Sequence, residues 1–306
     1  MNVGDSPLFV VVYGDSGLGK SVDQMLCAPR SWLVCKPGAE KPAFQFGFTM
    51  PAIHANGILE LQEILAKIIA APPEKRPPSL IVDDLTLLMQ HTFDALRPQY
   101  PPAHTFAFWE RIKRESRKVA DMAREAHIDL FASMHRGSPS VDQNDVFHRG
   151  GPEMPARSMR TIVPHIADVV YRAEIDAERK PWPLVYSAEV DTDWLVKDRT
   201  GVVRGIAPGN LREIFRCYGR TFPRLPGMEW QDAVAEQVSN KIQSGESIPD
   251  VWNRAEAQLI AKGLPEPAIY WALRDGVDRA TLAKRQRLLG FFNNSSGAQD
   301  SAVEVI

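Results

Sequence analysis

The chain has 306 residues, 44% hydrophobic and 24% charged, enough to bury one large core or two smaller ones. Its 36 basic and 38 acidic side chains leave a formal charge of -2, which excludes a globally basic nucleic-acid coat but not a local basic stripe. Three cysteines, Cys27, Cys35 and Cys217, are too few and too scattered for a disulfide framework or a zinc site.

Residues 8–13 (LFVVVY) form an unbroken apolar run, the pattern of a strand buried on both faces of a parallel sheet. A glycine-rich turn follows, and a short helix opens at Lys20-Ser21. Residues 31–36 (SWLVCK) read as a second strand, stopped by Pro37-Gly38. Over 57–71, Ile58, Leu61, Ile64, Leu65, Ile68 and Ile69 share one helical face, and Pro72-Pro73 ends the helix. Residues 79–84 (SLIVDD) predict a buried strand closed by carboxylates. A proline-aromatic loop (97–108) leads to a long helix over 109–127, and a fourth strand (128–134) ends at His135-Arg136. Residues 137–164 lack periodicity and are too long for an idle connection, which marks a functional loop.

Two β-like runs, 168–175 and 184–190, come next, joined by a turn at 178–181. Strands alternating with helices, then this β-rich end, predict an α/β fold: a mostly parallel central sheet with antiparallel strands added at its edge. From 227 the pattern is helical, over 229–243, 249–262, 265–275 and 278–292. The expected division is a core of 1–226, a small helical C-terminal region of 227–292 and a disordered tail of 293–306. No apolar run of about 18 residues and no charged leader occurs, so a cytoplasmic protein without a membrane partner is expected.

The stretch Gly14-Asp15-Ser16-Gly17-Leu18-Gly19-Lys20-Ser21 has the G-x-x-x-x-G-K-S spacing of a phosphate-binding loop. Its glycines let successive backbone N–H groups converge on phosphates, which the following helix N-terminus also attracts. Lys20 would reach the terminal phosphates and Ser21 would give its hydroxyl to Mg²⁺, so ATP and Mg²⁺ are the expected cofactors. Asp83 closes a neighbouring strand, where a carboxylate can hold the Mg²⁺ water shell, and Asp84 would orient the attacking water. His135 and Arg136 end the next strand at the same edge. They read either as a γ-phosphate sensor and a cation for the transition state, or as a solvated strand end. Glu40 reads as a general base or as a plain loop glutamate.

Two segments offer basic and aromatic side chains together, the combination that neutralises a nucleic-acid backbone and stacks bases. In 97–124 the charges also fit an ordinary solvated helix face. The better candidates lie in the long loop: Phe147, His148, Arg149, Arg157 and Arg160.

The order of phosphate loop, LIVDDLTLLM, sensor strand and long loop resembles the RecA-type ATPase core. GDSGLGKS, LIVDDLTLL, ASMHRG, GGPEMP and VKDRTG resemble, more closely, phage and prophage RecA-like ATPases, a group that includes single-strand annealing recombination proteins. The resemblance covers about residues 7 to 220. It implies Lys20, Ser21 and Asp83 at the nucleotide and Mg²⁺ positions, His135 at the sensor position, and a DNA-binding loop at 137–164. It also implies that Lys197-Asp198-Arg199 supplies a basic pair to a neighbour's ATP site, hence a homo-oligomer with the site near a subunit interface, acting on single-stranded DNA. Two departures stand out: only a few residues precede the first strand, so a RecA-style N-terminal hook is not expected, and Asp84 replaces the usual serine, as in the paired acids of AAA+ ATPases. Three functions follow as expectations: a DNA-linked ATPase, a nucleoside kinase whose lid is the arginine-bearing loop, or a nucleotide-gated assembly or helicase-loading factor.

Overall fold

The computed structural model describes residues 6–41, 50–156, 159–179, 182–189, 193–203 and 205–297. The chain opens with β1 (Phe9–Tyr13), α1 (Lys20–Cys27), β2 (Trp32–Cys35), β3 (Ala52–His54) and α2 (Ile58–Ala70). Next come β4 (Ser79–Asp83), α3 (Leu85–Leu96), α4 (Thr105–Glu125) and β5 (Asp129–Met134). The long loop carries β6 (Arg136–Gly137), β7 (Ser140–Val141), β8 (Phe147–His148) and β9 (Gly151–Pro152), then α5 (Ile162–Ile166). The strands end with β10 (Val169–Ile175), β11 (Leu184–Ser187), β12 (Lys197–Asp198) and β13 (Ile206–Pro208). Helices α6 (Leu211–Cys217), α7 (Trp230–Gln243), α8 (Ile248–Ala261) and α9 (Glu266–Gly297) complete the chain.

Nine strands make one sheet in the order β13-β11-β10-β1-β5-β4-β2-β3, with β12 also paired to β10. From β3 across to β10 every pairing is parallel, while β11, β12 and β13 run antiparallel. This is the expected α/β architecture: a mostly parallel central sheet with antiparallel strands at one edge. Helices cover both faces, which is why β1 is apolar without alternation. Phe9, Val11 and Tyr13 pack toward α2, α3 and α4, and Val10 and Val12 pack toward α1 and α6. A third, smaller cluster joins α7, α8 and α9 through Val238, Val251, Leu259, Ile269 and Leu273.

The structure departs from the sequence reading where local signals are weak. The three-residue β3 is too short to show a period, and the long loop folds into two small antiparallel pairs, β6-β9 and β7-β8. The two helices expected over 265–275 and 278–292 are one helix, α9, continuous through Gly276. A glycine is tolerated there because the helix backbone presses on α7: a Cβ on Gly276 would lie 2.6 Å from the Val238 Cβ. The helix continues to Gly297, past the point where a tail is expected to begin, and 298–306 lie outside the described residues. No helix of the described residues is long and apolar enough to cross a membrane.

Candidate nucleotide-binding site

β1 delivers the glycine loop to the C-terminal edge of the parallel sheet. Gly17 (φ 79°) and Gly19 (φ 88°) take the left-handed conformation that a side chain resists, which turns the chain from strand into α1. Gly14 is fixed by crowding instead, since a Cβ there would lie 2.8 Å from the Ala173 carbonyl oxygen. No side chain caps α1. The N–H groups of its first turn are therefore free to meet an anion, and the helix dipole favours one.

Lys20 is buried, and its ammonium donates to the carbonyls of Gly14 (3.1 Å) and Asp15 (2.7 Å). Burial lowers its pKa, against the pull of Asp83, Asp84 and Asp15. β5 lies between β1 and β4 and brings Ser133 beside Asp83, to which the Ser133 hydroxyl donates. Asp84 caps α3 by accepting from the Leu87 N–H at 2.7 Å and faces His135 Nε2 at 2.9 Å. Burial raises the Asp84 pKa, opposed by that N–H and by His135. The His135 backbone N–H in turn donates to Thr86 Oγ1 (3.0 Å), so this residue is held from α3. Arg136 pairs with Asp15 of the loop at 2.7 Å and lies over the Trp194 ring, 5.6 Å from its centroid.

These groups surround a cleft of about 670 Å³, within the range of small-molecule sites. Gly17, Ser21, Asp83, Asp84 and His135 line its polar side, and Ile175, Trp182 and Leu184 its apolar side. The donor set fits the nucleotide and metal that such a loop implies. Ser21 and Asp83 offer hard oxygens suited to Mg²⁺, and the glycine backbone with the uncapped helix offers N–H groups to phosphates.

Other expected residues are placed differently. Glu40 stands on the turn after β2, whose Lys36, Gly38 and Ala39 wall the cleft, but its carboxylate accepts from Gly38 N–H (2.7 Å) and faces Cys35 and His54. Lys197 and Arg199 lie at the opposite edge of the sheet, since Val170 at the start of β10 pairs with Lys197. There Lys197 donates to the Ala167 carbonyl (2.6 Å) and Arg199 pairs with Asp168 (2.9 Å), so neither reaches the cleft of its own chain.

In the long loop, Phe147 is 49% exposed and Arg149 is exposed, while His148 pairs with Asp142 at 2.9 Å. Arg160 corrects the sequence reading: it is buried and donates to the carbonyls of Ser138 (2.8 Å) and Arg149 (3.1 Å), acting as a strut within the loop. Arg157 lies outside the described residues.

Sequence reasoning missed Ser133, Thr86 and Trp182. Ser133 was detectable only as a polar residue in the strand 128–134. Trp182 comes from the β10-β11 connection, far along the chain, and its ring packs so closely that a Cβ on Gly19 would lie 2.9 Å from it.

No family model matches the chain, and no curated protein matches it. Among solved structures it is similar to a KaiC-like protein from the hyperthermophilic archaeon Pyrococcus horikoshii OT3, at 10% identity and a TM-score of 0.38, over 60% of this chain and 78% of that one. A likeness that distant carries no argument, and the site rests on its own residues.

Proposed function

We propose that this protein binds ATP with Mg²⁺ and hydrolyses it. One observation carries the reading: Lys20 and Ser21 share a cleft with Asp83, Asp84, Ser133 and His135, although the chain separates the two groups by more than sixty residues. Ser21 and Asp83 would hold the Mg²⁺, which when bound would supply neutralisation of charge building on the phosphates. Lys20 would exchange its two carbonyls for the terminal phosphate, Asp83 would face the metal with Ser133 fixing its carboxylate, and Asp84 with His135 would orient the attacking water. In Lys20→Ala, steady-state hydrolysis should fall by about 100-fold or more, the scale for losing one donor to transition-state charge. Turnover within tenfold of wild type would sink the assignment.

The DNA-linked reading is part of the proposal, with single-stranded DNA in phage-type recombination or annealing as its substrate. It is supported by the β7-β8 hairpin, where Val141, Val146 and Phe147 are exposed and Arg149 stands beside them. The hairpin springs from β6, which begins next to His135. Single-stranded DNA should raise the ATPase rate. Phe147→Ala should weaken DNA binding by about 1–3 kcal/mol if the ring stacks on a base; unchanged binding in a filter or anisotropy assay would remove the hairpin from the interface. A kinase lid is less well supported, because Arg160 is spent inside the loop.

Homo-oligomerisation completes the proposal. Lys197 and Arg199, remote from their own cleft, would serve only a neighbour's. Hydrolysis per chain should then rise with protein concentration, and Arg199→Ala should remove that dependence.

A further inference from the structure

Beside the cleft, three ligating side chains converge that the nucleotide reading does not use. Register partners in parallel strands project to the same face, and Asp83 of β4, Cys35 of β2 and His54 of β3 are such partners. The turn after β2 brings Glu40 back over this row. Its Oε2 lies 3.9 Å from Cys35 Sγ and 3.6 Å from His54 Nε2, and the three ligand atoms all lie within 4.8 Å of one another.

The cysteines are too scattered to build a zinc site among themselves, but we propose that Cys35 alone, with Glu40 and His54, forms a binding site for a divalent cation of the zinc class. A thiolate, a carboxylate and a neutral imidazole balance a doubly charged ion, and all three are ordinary zinc ligands. Around one tetrahedral zinc, ligand atoms stand about 3.4–3.6 Å apart, as bond lengths of about 2.0–2.3 Å require. The two contacts to Glu40 therefore need to close by only a few tenths of an ångström, and His54, with its side chain 49% exposed, can move to meet the ion. The sulfur selects this site for a softer ion than Mg²⁺, which the all-oxygen pair Ser21 and Asp83 suits. Residues 42–49 (PAFQFGFT) contain no His, Cys, Asp or Glu, so that segment supplies no fourth ligand of these kinds. A three-ligand site of this kind keeps one position for water or an exogenous group.

The position gives the site a consequence. Lys36, Gly38 and Ala39, in the turn that Glu40 closes, wall the nucleotide cleft. An ion at the trio takes the Glu40 carboxylate and stiffens that wall, so its occupancy should alter nucleotide affinity.

The test uses the full chain without nucleotide, titrated with Zn²⁺ against a chromophoric chelator and with Co²⁺ by absorbance. The expected result is one ion per chain and a thiolate-to-cobalt charge-transfer band. Cys35→Ser should lose the band, and Cys217→Ser should keep it. His54→Ala, a substitution at an exposed side chain, should bind Zn²⁺ weaker by at least the roughly 10–100-fold that loss of an outer-shell partner alone costs. Circular dichroism of each variant separates lost ligation from lost fold. Absence of a stoichiometric ion in the wild type, or equal Zn²⁺ affinity in folded His54→Ala, overturns the proposal. Neither result bears on Lys20 or on ATP hydrolysis, which the separate ATPase assay reads.

Discussion

Two clusters of ionisable groups flank the short helix α1, and each sets aspartates against cationic side chains. At its first turn Lys20 faces the cleft with Asp83, Asp84 and His135. Three residues on, Asp23 points into the interior, where Arg274 of α9 pairs with it, Tyr186 donates to it (2.7 Å) and the Leu211 N–H donates to it (3.0 Å). Asn210 donates to both Asp275 and Asp278 (2.9 Å each), Arg224 pairs with Asp275 (2.6 Å), and Arg179 pairs with Asp278. Arg274, Arg224 and Arg179 thus stand against Asp23, Asp275 and Asp278 in a charge-balanced knot. The cleft lacks such direct pairing: Lys20 donates to carbonyls, and the carboxylates lean on a hydroxyl, an N–H and a histidine. The difference teaches which charges are kept for stability and which for chemistry. A directly paired buried knot fixes α1 against α9, whereas a loosely paired, solvent-reached cluster leaves capacity for a ligand.

The largest expected effect breaks the knot. Arg274→Ala removes the most deeply buried cation of the set, taking from Asp23 its ion pair and leaving Asp278 to Arg179 and Asn210, which should cost about 3–5 kcal/mol in urea unfolding. The same variant removes the guanidinium that lies over the Trp182 ring (5.2 Å), so any surviving folded protein should also bind nucleotide more weakly. A loss below about 1 kcal/mol would mean that the knot contributes fold specificity and little stability.

Lys20→Ala is the matched experiment in the cleft. The ammonium is desolvated, and carbonyl oxygens with the pull of Asp83, Asp84 and Asp15 offset that cost only in part, so its removal should shift stability by no more than about 1 kcal/mol in either direction while abolishing turnover. A destabilisation as large as that of Arg274→Ala would erase the distinction between the clusters.

The two clusters were unequally legible in the sequence. Gly14 to Ser21 is contiguous, its spacing is imposed by phosphate geometry, and the strands on either side of it have unbroken apolar signatures; Asp83 follows from the same logic. Ser133 and Trp182 enter the cleft through strand register and a hairpin, which no local pattern encodes. The knot was invisible for a stronger reason. Asp23, Asn210, Arg224 and Arg274 come from four separate segments, and each alone reads as a solvated helix or loop residue. Lys197 and Arg199 are the opposite case, legible as a motif but remote from the cleft of their own chain. A suggestive tripeptide lies at the far sheet edge, where its cations already bind Ala167 and Asp168.

The smallest effect concerns a carboxylate in the cleft whose burial is incompletely compensated. Burial raises the Asp84 pKa above its ordinary value near 3.9, with the Leu87 N–H and His135 pulling the other way. A raised folded pKa means that the native state binds this proton more tightly than the unfolded chain does. Stability tied to Asp84 is therefore fully present below about pH 4 and declines as pH rises through the folded value. Asparagine caps a helix about as well as aspartate, so Asp84→Asn should keep α3 and lose only this titration. Urea unfolding of both proteins without added Mg²⁺ should show wild type losing stability relative to Asp84→Asn as pH climbs from about 4. Added Mg²⁺-nucleotide should shrink that gap, because a cation in the cleft supplies the compensation that the protein leaves out. Parallel curves would mean that His135 and the cap N–H already balance Asp84, and the cleft would then resemble the knot more closely than its geometry implies.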